Sequence, residues 1–367
     1  MPERRSSAPG ADRATGAAPR PRLLLIGPLP IAGDQVGGAK VLFRRLVQDL
    51  READEVELVV INSSRPRGGR GRLVRTLIDL RASASVLARV AARGRGCDAW
   101  AINLSAGGAF GLLPAVAALA ALLRRPLGLR VFGGGLGRVW DGASGPSRGT
   151  FERVARRCTF VALETRELVE RFDRLGNVRW FPNTRDIETP PIDRRRCAKL
   201  LYLGQIREEK GIAYLLEAMG SVPAGTSLSL YGSPVDRALL DRAIATGGVS
   251  YGGEVDAAEI PAILGEHDAL VLPTVWHGEG MPGVVIEAFQ CGLPAVATRW
   301  MRIPELVVDG VNGLLVEPRS AAALAAAVRR LVAEPATYRA LGAGAVDTGN
   351  RFRSPVWSAR FARWCLA

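Results

Sequence analysis

The residues best suited to chemistry lie between Asp268 and Thr298, DALVLPTVWHGEGMPGVVIEAFQCGLPAVAT. An apolar strand pattern ends at Leu272. A glycine-rich loop with Glu279 follows, and a helix opening near Gly283 carries Glu287 within its first two turns. A helix start offers unpaired backbone N–H groups and the positive end of the helix dipole, both suited to phosphate or sugar oxygens. Glycines 278, 280 and 283 let the main chain approach a ligand closely. Glu287 can accept hydrogen bonds from vicinal hydroxyls such as those of a ribose, and Glu279 can address a second set. The bland alternative is a purely structural strand–helix crossover.

Two further loops have the same placement. Leu200 to Gly211 (LLYLGQIREEKG) runs from a strand through Gly204 to Gly211 at a helix start, and its Arg207 and Lys210 can pair with a diphosphate. The alternative there is a solvated charge run. Pro28 to Lys40 (PLPIAGDQVGGAK) follows the first apolar strand and ends in Gly37-Gly38 at a helix start. It does not match the G-x-G-x-x-G fingerprint with its downstream acid, which disfavours a dinucleotide cofactor.

The elements that must position these loops alternate along the chain. Short apolar runs fall near 22–27, 56–61, 98–103, 128–132 and 159–162, with helical patterns near 38–51, 73–92, 109–124, 150–157 and 165–173. In the second half, strands fall near 199–203, 227–231, 249–251, 268–272, 294–298 and 313–316. Helices fall near 211–220, 235–246, 256–265, 283–291 and 319–333. Such alternation argues for parallel sheets covered by helices, an α/β chain of two doubly wound Rossmann-like domains facing across a cleft. Residues 1–21, rich in Pro, Ala, Gly and Arg, are expected to be a disordered tail. The first domain is placed at 22–182 and the second at 183–352, joined through the proline-containing polar stretch 181–196. Residues 353–367 carry Trp357, Phe361 and Trp364 at helical spacing. They read as a final helix packing back towards the first domain, its aromatics core rather than platform.

Composition bounds the rest. With 367 residues, 48% of them hydrophobic, the chain can fill two cores. The net charge of +13 comes almost wholly from arginine, since Lys occurs only at 40, 199 and 210. Nucleic acid, an anionic membrane surface and phosphorylated ligands are candidate partners for such charge, beside a plain arginine bias of the surface. The five cysteines form no CxxC pair, so neither a zinc site nor a disulfide framework is expected, and a reducing, cytoplasmic setting fits. No apolar core follows Arg4 and Arg5, so no signal peptide is expected. The longest apolar run, Gly111 to Leu123, is shorter than the ~20 residues of a spanning helix.

The stretch GEGMPGVVIEA followed by GLPAVAT resembles the retaining glycosyltransferases of family four, which have the GT-B fold and carry two glutamates eight residues apart. The Gly-Glu-Gly-x-Pro variant looks most like enzymes of bacterial surface-polysaccharide assembly. The resemblance implies transfer of a sugar from a nucleotide-diphosphate-sugar to a glycan or lipid-linked acceptor. Glu279 would hold the transferring sugar, as the catalytic carboxylate, and Glu287 the ribose. Gly38, Gly204, Arg207, Lys210, Gly280, Met281 and Gly283 would complete the donor site. The Phe181-Pro182-Asn183 step and the DGVNGLLV stretch from Asp309 are also family-like. Two departures stand out. Gln205 occupies the position of the family's arginine, which weakens the phosphate clamp unless Arg207 takes over. Many family members place an N-domain histidine near the donor sugar; the first half of this chain holds no histidine, and Val131 to Gly137 (VFGGGLG) occupies that region. His277, beside the Glu279 loop, is a candidate sugar contact or a structural residue, and His267 reads as structural. No Asp-x-Asp occurs, so neither a metal nor another cofactor is expected.

The arginine-rich stretch 65–95 reads either as a basic amphipathic helix on the inner face of an anionic membrane, with Leu112 to Leu123 beside it, or as a core-facing helix with solvated arginines. No aromatic motif accompanies it, and nucleic acid is disfavoured. Two alternatives to glycosyl transfer remain: a nucleotide-sugar epimerase on the same fold, and a non-enzymatic membrane-surface binding protein.

Overall fold

A computed structural model describes residues 19–31, 38–64, 72–187 and 194–367, with the side chains of 72–77 left aside. Residues 1–18, Gly37, the prolines at 190 and 191 and the arginines at 65, 67 and 70 therefore lie outside the described residues.

The first domain runs β1 (Arg22–Gly27), α1 (Gly38–Ala53), β2 (Glu57–Asn62), α2 (Arg72–Gly94), β3 (Ala99–Ser105), α3 (Ala106–Leu122), β4 (Leu127–Phe132), α4 (Leu136–Gly142), α5 (Gly145–Ala155), β5 (Val161–Leu163), α6 (Arg166–Phe172) and β6 (Val178–Trp180). The second runs β7 (Lys199–Leu203), α7 (Ile212–Met219), β8 (Ser227–Tyr231), α8 (Arg237–Ile244), β9 (Val249–Tyr251), α9 (Ile260–Glu266), β10 (Ala269–Leu272), α10 (Gly283–Gln290), β11 (Ala295–Thr298), β12 (Gly313–Val316), α11 (Ala321–Ala333) and α12 (Pro335–Arg351), followed by α13 (Ser354–Leu366).

Both sheets are six-stranded and their strand pairs parallel, in the orders β2-β1-β3-β4-β5-β6 and β12-β11-β10-β7-β8-β9. Strands buried on both faces are apolar with little polar alternation, as in the LLLI of β1; β4 (LGLRVF) departs from this at the buried Arg130. The second sheet has the Rossmann order. The first departs from it, with the flavodoxin-like order and its switch point between β1 and β3. In the second domain the order reverses between β7 and β10, and the crevice outside those strand ends is where ligands settle in such sheets.

Three elements are not evident from the sequence. β6 is only three residues long at a sheet edge, too short to show a period. α4 is seven residues in a glycine-rich stretch. α12 is hidden by Gly342, Gly344 and Gly349, which lower helix propensity. Its glycines are packing residues. A Cβ at Gly344 would overlap the Val311 carbonyl oxygen, and one at Gly349 would stand 2.6 Å from the Gln290 nitrogen.

The chain crosses between domains twice, side by side. Arg185 N–H donates to Phe352 O (3.1 Å) and Ser354 N–H to Arg185 O (2.9 Å). Beyond that point α13 lies on α1. Phe361 is fully buried between the Phe160 and Phe181 rings, and Ser358 donates to the buried Asp49.

Candidate functional site

The loop after β7 and the loop after β10 meet at the switch point. Gly211 has φ +75°, and a Cβ there would overlap the Pro273 carbonyl, so only glycine lets the loops touch. This seats Lys210 beside Glu279. The Lys210 ammonium donates to Glu279 Oε2 at 2.6 Å and lies 4.5 Å from the Trp276 ring centroid. Thr274 donates to the same carboxylate oxygen at 2.9 Å. The Glu279 side chain keeps only 9% of its exposure, so its charge acts in a partly desolvated setting.

Four residues on, α10 begins. Its N-cap is Pro282, with no side-chain cap, so the first-turn N–H groups lack a side-chain acceptor. Glu287 lies one turn in. Its Oε1 accepts from Arg185 Nε at 2.7 Å, and the pair is nearly buried. The Arg185 guanidinium rests against Gly283, where any Cβ would overlap it. Asn183 and the Thr184 carbonyl also accept from Arg185. Each of the two glutamates is thus matched by one cation.

The remaining sequence-derived residues fall as follows. Gly204 closes the end of β7, its N–H donating to Tyr231 O, and Gln205 is exposed. Arg207 makes a bidentate pair with Glu209 (2.8 Å twice), whose carboxyl it pulls down to about 2, so its guanidinium is engaged within its own loop. Met281 has its side chain in the core and its carbonyl accepting from Asn183 at 2.6 Å. Gly280 faces the first domain, with a Cβ there 3.3 Å from both Glu164 Oε1 and Gly134 N. Gly38 opens α1 with open space at its Cβ position. The His277 carbonyl accepts from Arg138 of α4 and its ring lies 5.0 Å from Trp300, whereas His267 is buried against Ile263 O.

Two site residues escaped the sequence reading. Arg185 follows the Pro182-Asn183 step by two positions and reaches Glu287 over 102 residues of chain. Glu164 stands just past the C-terminal end of β5. It is 5% exposed and accepts from Gly133 N–H at 2.7 Å. Burial pushes its carboxyl above the ordinary range, against the opposing pull of that N–H and of Arg130. The same burial lowers Arg130, which lies over the Phe181 (3.9 Å) and Phe132 (4.7 Å) rings.

The expectation for Leu112 to Leu123 needs correction. Leu112, Leu113, Val116 and Ala120 are buried, because α3 covers β3 and β4; the exposed residues are Ala115, Ala118, Ala121 and Leu122, the last at 77%. In α2, Val86 and Val90 point into the core and Leu80 is exposed beside Arg81. Among the described residues, no helix is long and apolar enough to cross a membrane, and no group of three or more His, Cys, Asp or Glu could hold a metal ion.

Residues 197–334 match the family model described as Glycosyl transferases group 1. The second domain is a group 1 glycosyltransferase domain. Over 148 residues the chain is 32% identical to the glycogen synthase of Mycobacterium tuberculosis, and over 135 residues 30% identical to the O-antigen chain mannosyltransferase B of Escherichia coli. These alignments cover 38% and 34% of this chain, and the chain spans about a third of those relatives' length, 35% and 34%. Solved structures extend the likeness beyond the group 1 domain. The sucrose-phosphate synthase of Thermosynechococcus elongatus superposes with a TM-score of 0.67 at 19% identity, and Anabaena HepE in complex with UDP with 0.69 at 18%. Each covers 94% of this chain and 98% of the other. The two-domain architecture is the GT-B fold.

Proposed function

We propose that the chain transfers a sugar from a nucleotide-diphosphate-sugar to a glycan or lipid-linked acceptor, with retention at the anomeric carbon and without a metal. The observation that carries this reading is the pairing of Glu279 with Lys210 and of Glu287 with Arg185 around the open N-terminus of α10, at the switch point of a group 1 domain. Glu287 Oε2, free of the Arg185 bond, is the acceptor for ribose hydroxyls. Glu279 orients the hydroxyls of the transferring sugar. Lys210, Arg185 and the α10 amides take up the charge that grows on the leaving diphosphate. Such pre-oriented donors stabilise the transition state more than the ground state. With Gln205 at the family's arginine position, the clamp falls to Lys210 and to Arg185, whose guanidinium lies against Gly283 at the start of α10. The departing phosphate oxygen takes the acceptor proton on the face it leaves, and closure of the cleft excludes water.

The UDP held by HepE makes a uridine nucleotide the first donor to test, and the mannosyltransferase and glycogen synthase relatives point to glucan or polysaccharide acceptors. The reading places the chain in the cytoplasm at the inner face of the membrane, with exposed Leu80 and Arg81 of α2 as its contact with anionic lipid. Incubation with nucleotide-sugars in EDTA, followed by proton NMR of the first-formed product, tests it. The expected outcome is a new glycoside with the donor's anomeric configuration. An inverted product overturns retention, and an epimerised donor without acceptor overturns transfer.

A further inference from the structure

The loop after β10 opens with Pro273 and Thr274, and Thr274 is fully buried. A hydroxyl has one proton to give and lone pairs to be met. The neighbours of Thr274 decide where its proton goes. The Trp276 N–H donates to Thr274 Oγ1 at 3.2 Å, so one side of the oxygen faces a donor. Two acceptors compete for the hydroxyl proton. Glu279 Oε2 lies at 2.9 Å. The Glu209 carbonyl lies at 3.5 Å and already accepts the Val275 N–H at 2.8 Å. The shorter bond is the one to the carboxylate, and a bond to an ionised acceptor is the stronger kind. The proton therefore points at Glu279. Thr274 is fixed in its turn from the end of β11, where the buried Thr298 hydroxyl donates to the Thr274 carbonyl at 2.6 Å.

We infer that Thr274 is a positioning residue for Glu279. Glu279 Oε2 is held twice, by the Thr274 hydroxyl and by the Lys210 ammonium at 2.6 Å. Oε1 takes no hydrogen bond among the described residues, and it is the oxygen left to accept from a sugar hydroxyl. Lys210 alone does not make this assignment. Its ammonium is a compact charge on a flexible stem, with three donors that turn freely. In the glycosyl-transfer reading one of those donors goes to the leaving diphosphate. The Thr274 bond keeps Oε2 in place while Lys210 is shared in this way, so Oε1 stays aimed at the sugar. The inference deepens the glycosyl-transfer reading and rests on it for the identity of the ligand. The fixing of the carboxylate is a property of the loop itself.

The test pairs crystal structures of the full chain with donor kinetics. Thr274→Val keeps the branched shape and removes the hydroxyl, whereas Thr274→Ser keeps the hydroxyl. In the parent and in Thr274→Ser, Glu279 should hold one rotamer, with Oε2 between the hydroxyl and Lys210. In Thr274→Val the carboxylate should leave that position or spread over several rotamers. The kinetic arm follows release of nucleoside diphosphate from UDP-glucose, GDP-mannose and ADP-glucose in EDTA. For the donor that the parent turns over, Thr274→Val should lower kcat by roughly 10- to 150-fold. KM should stay within about twofold, since the hydroxyl acts on the orientation of Glu279 and not on the nucleotide. Thr274→Ser should restore kcat. A Glu279 carboxylate that superimposes on the parent in Thr274→Val, or a parental kcat in that variant, would overturn the inference. A parent that turns over none of the three donors counts against the transfer reading instead, and the crystal structures then decide the positioning alone. If Thr274→Val does not fold, Thr274→Ala takes its place in both arms.

Discussion

Replacing Arg185 by alanine is the sharpest perturbation of the donor site. Arg185 Nε lies 2.7 Å from Glu287 Oε1, and the two side chains retain 16% and 12% of their exposure. A hydrogen bond to a charged group is worth about 1.5–3 kcal/mol. At about 1.4 kcal/mol per tenfold, losing one such bond to a diphosphate weakens binding by roughly 10- to 150-fold. Arg185→Lys keeps the charge but loses the planar fork that spans Glu287, Asn183 and Gly283, and should fall between. Glu287→Ala leaves the guanidinium without its carboxylate, so the two substitutions should not add. A double-mutant cycle should show a coupling of about 0.5–3 kcal/mol. Isothermal titration with a nucleoside diphosphate at fixed ionic strength measures all four corners, with melting curves confirming that each variant folds. Arg185→Ala binding within about twofold of the parent, or strictly additive losses, would refute the reasoning.

Other expectations follow from single contacts. Gly211→Ala forces a side chain into the left-handed region, at a cost of about 1–2 kcal/mol before its overlap with Pro273, and differential scanning calorimetry should show a lowered Tm. Phe361→Ala empties a site between Phe160 and Phe181 and should cost about 3–5 kcal/mol, read as a lower urea midpoint at unchanged slope. Burial raises the Glu164 carboxyl, so the folded chain holds this proton to higher pH than the unfolded chain does. Its contribution to stability therefore falls as pH rises from the ordinary carboxylate range through the raised value. Glu164→Gln should remove that slope from urea melts taken across the acid-to-neutral range.

The parts of the site that lie within one loop or one strand–loop–helix unit were legible before folding. Glu279, Lys210 and Glu287 each follow a strand pattern and stand among glycines, and local chemistry suffices to mark them. Arg185 and Glu164 were not legible as site residues, because what makes them so is an approach between distant chain segments. Nothing local to FPNTR shows that its arginine will rest on Gly283, a glycine that only tertiary packing explains. Arg207 shows the reverse. Its position in the loop suited a phosphate, but Glu209 two residues away captures it. In the fold, the buried strands declared themselves by continuous apolar runs, whereas α12 did not, since the glycines that let it press on the Val311 and Gln290 main chain weaken its helical pattern.

The central claim is that the carboxylates and cations around α10 form a site for a nucleotide-diphosphate-sugar. Calorimetric titration of the whole chain with UDP, GDP and ADP in EDTA, beside Glu287→Ala, tests it most directly. The account predicts saturable binding of one of these nucleotides without metal, and its loss in the variant. A folded parent that binds none of them, or a Glu287→Ala protein that binds as the parent does, would contradict it.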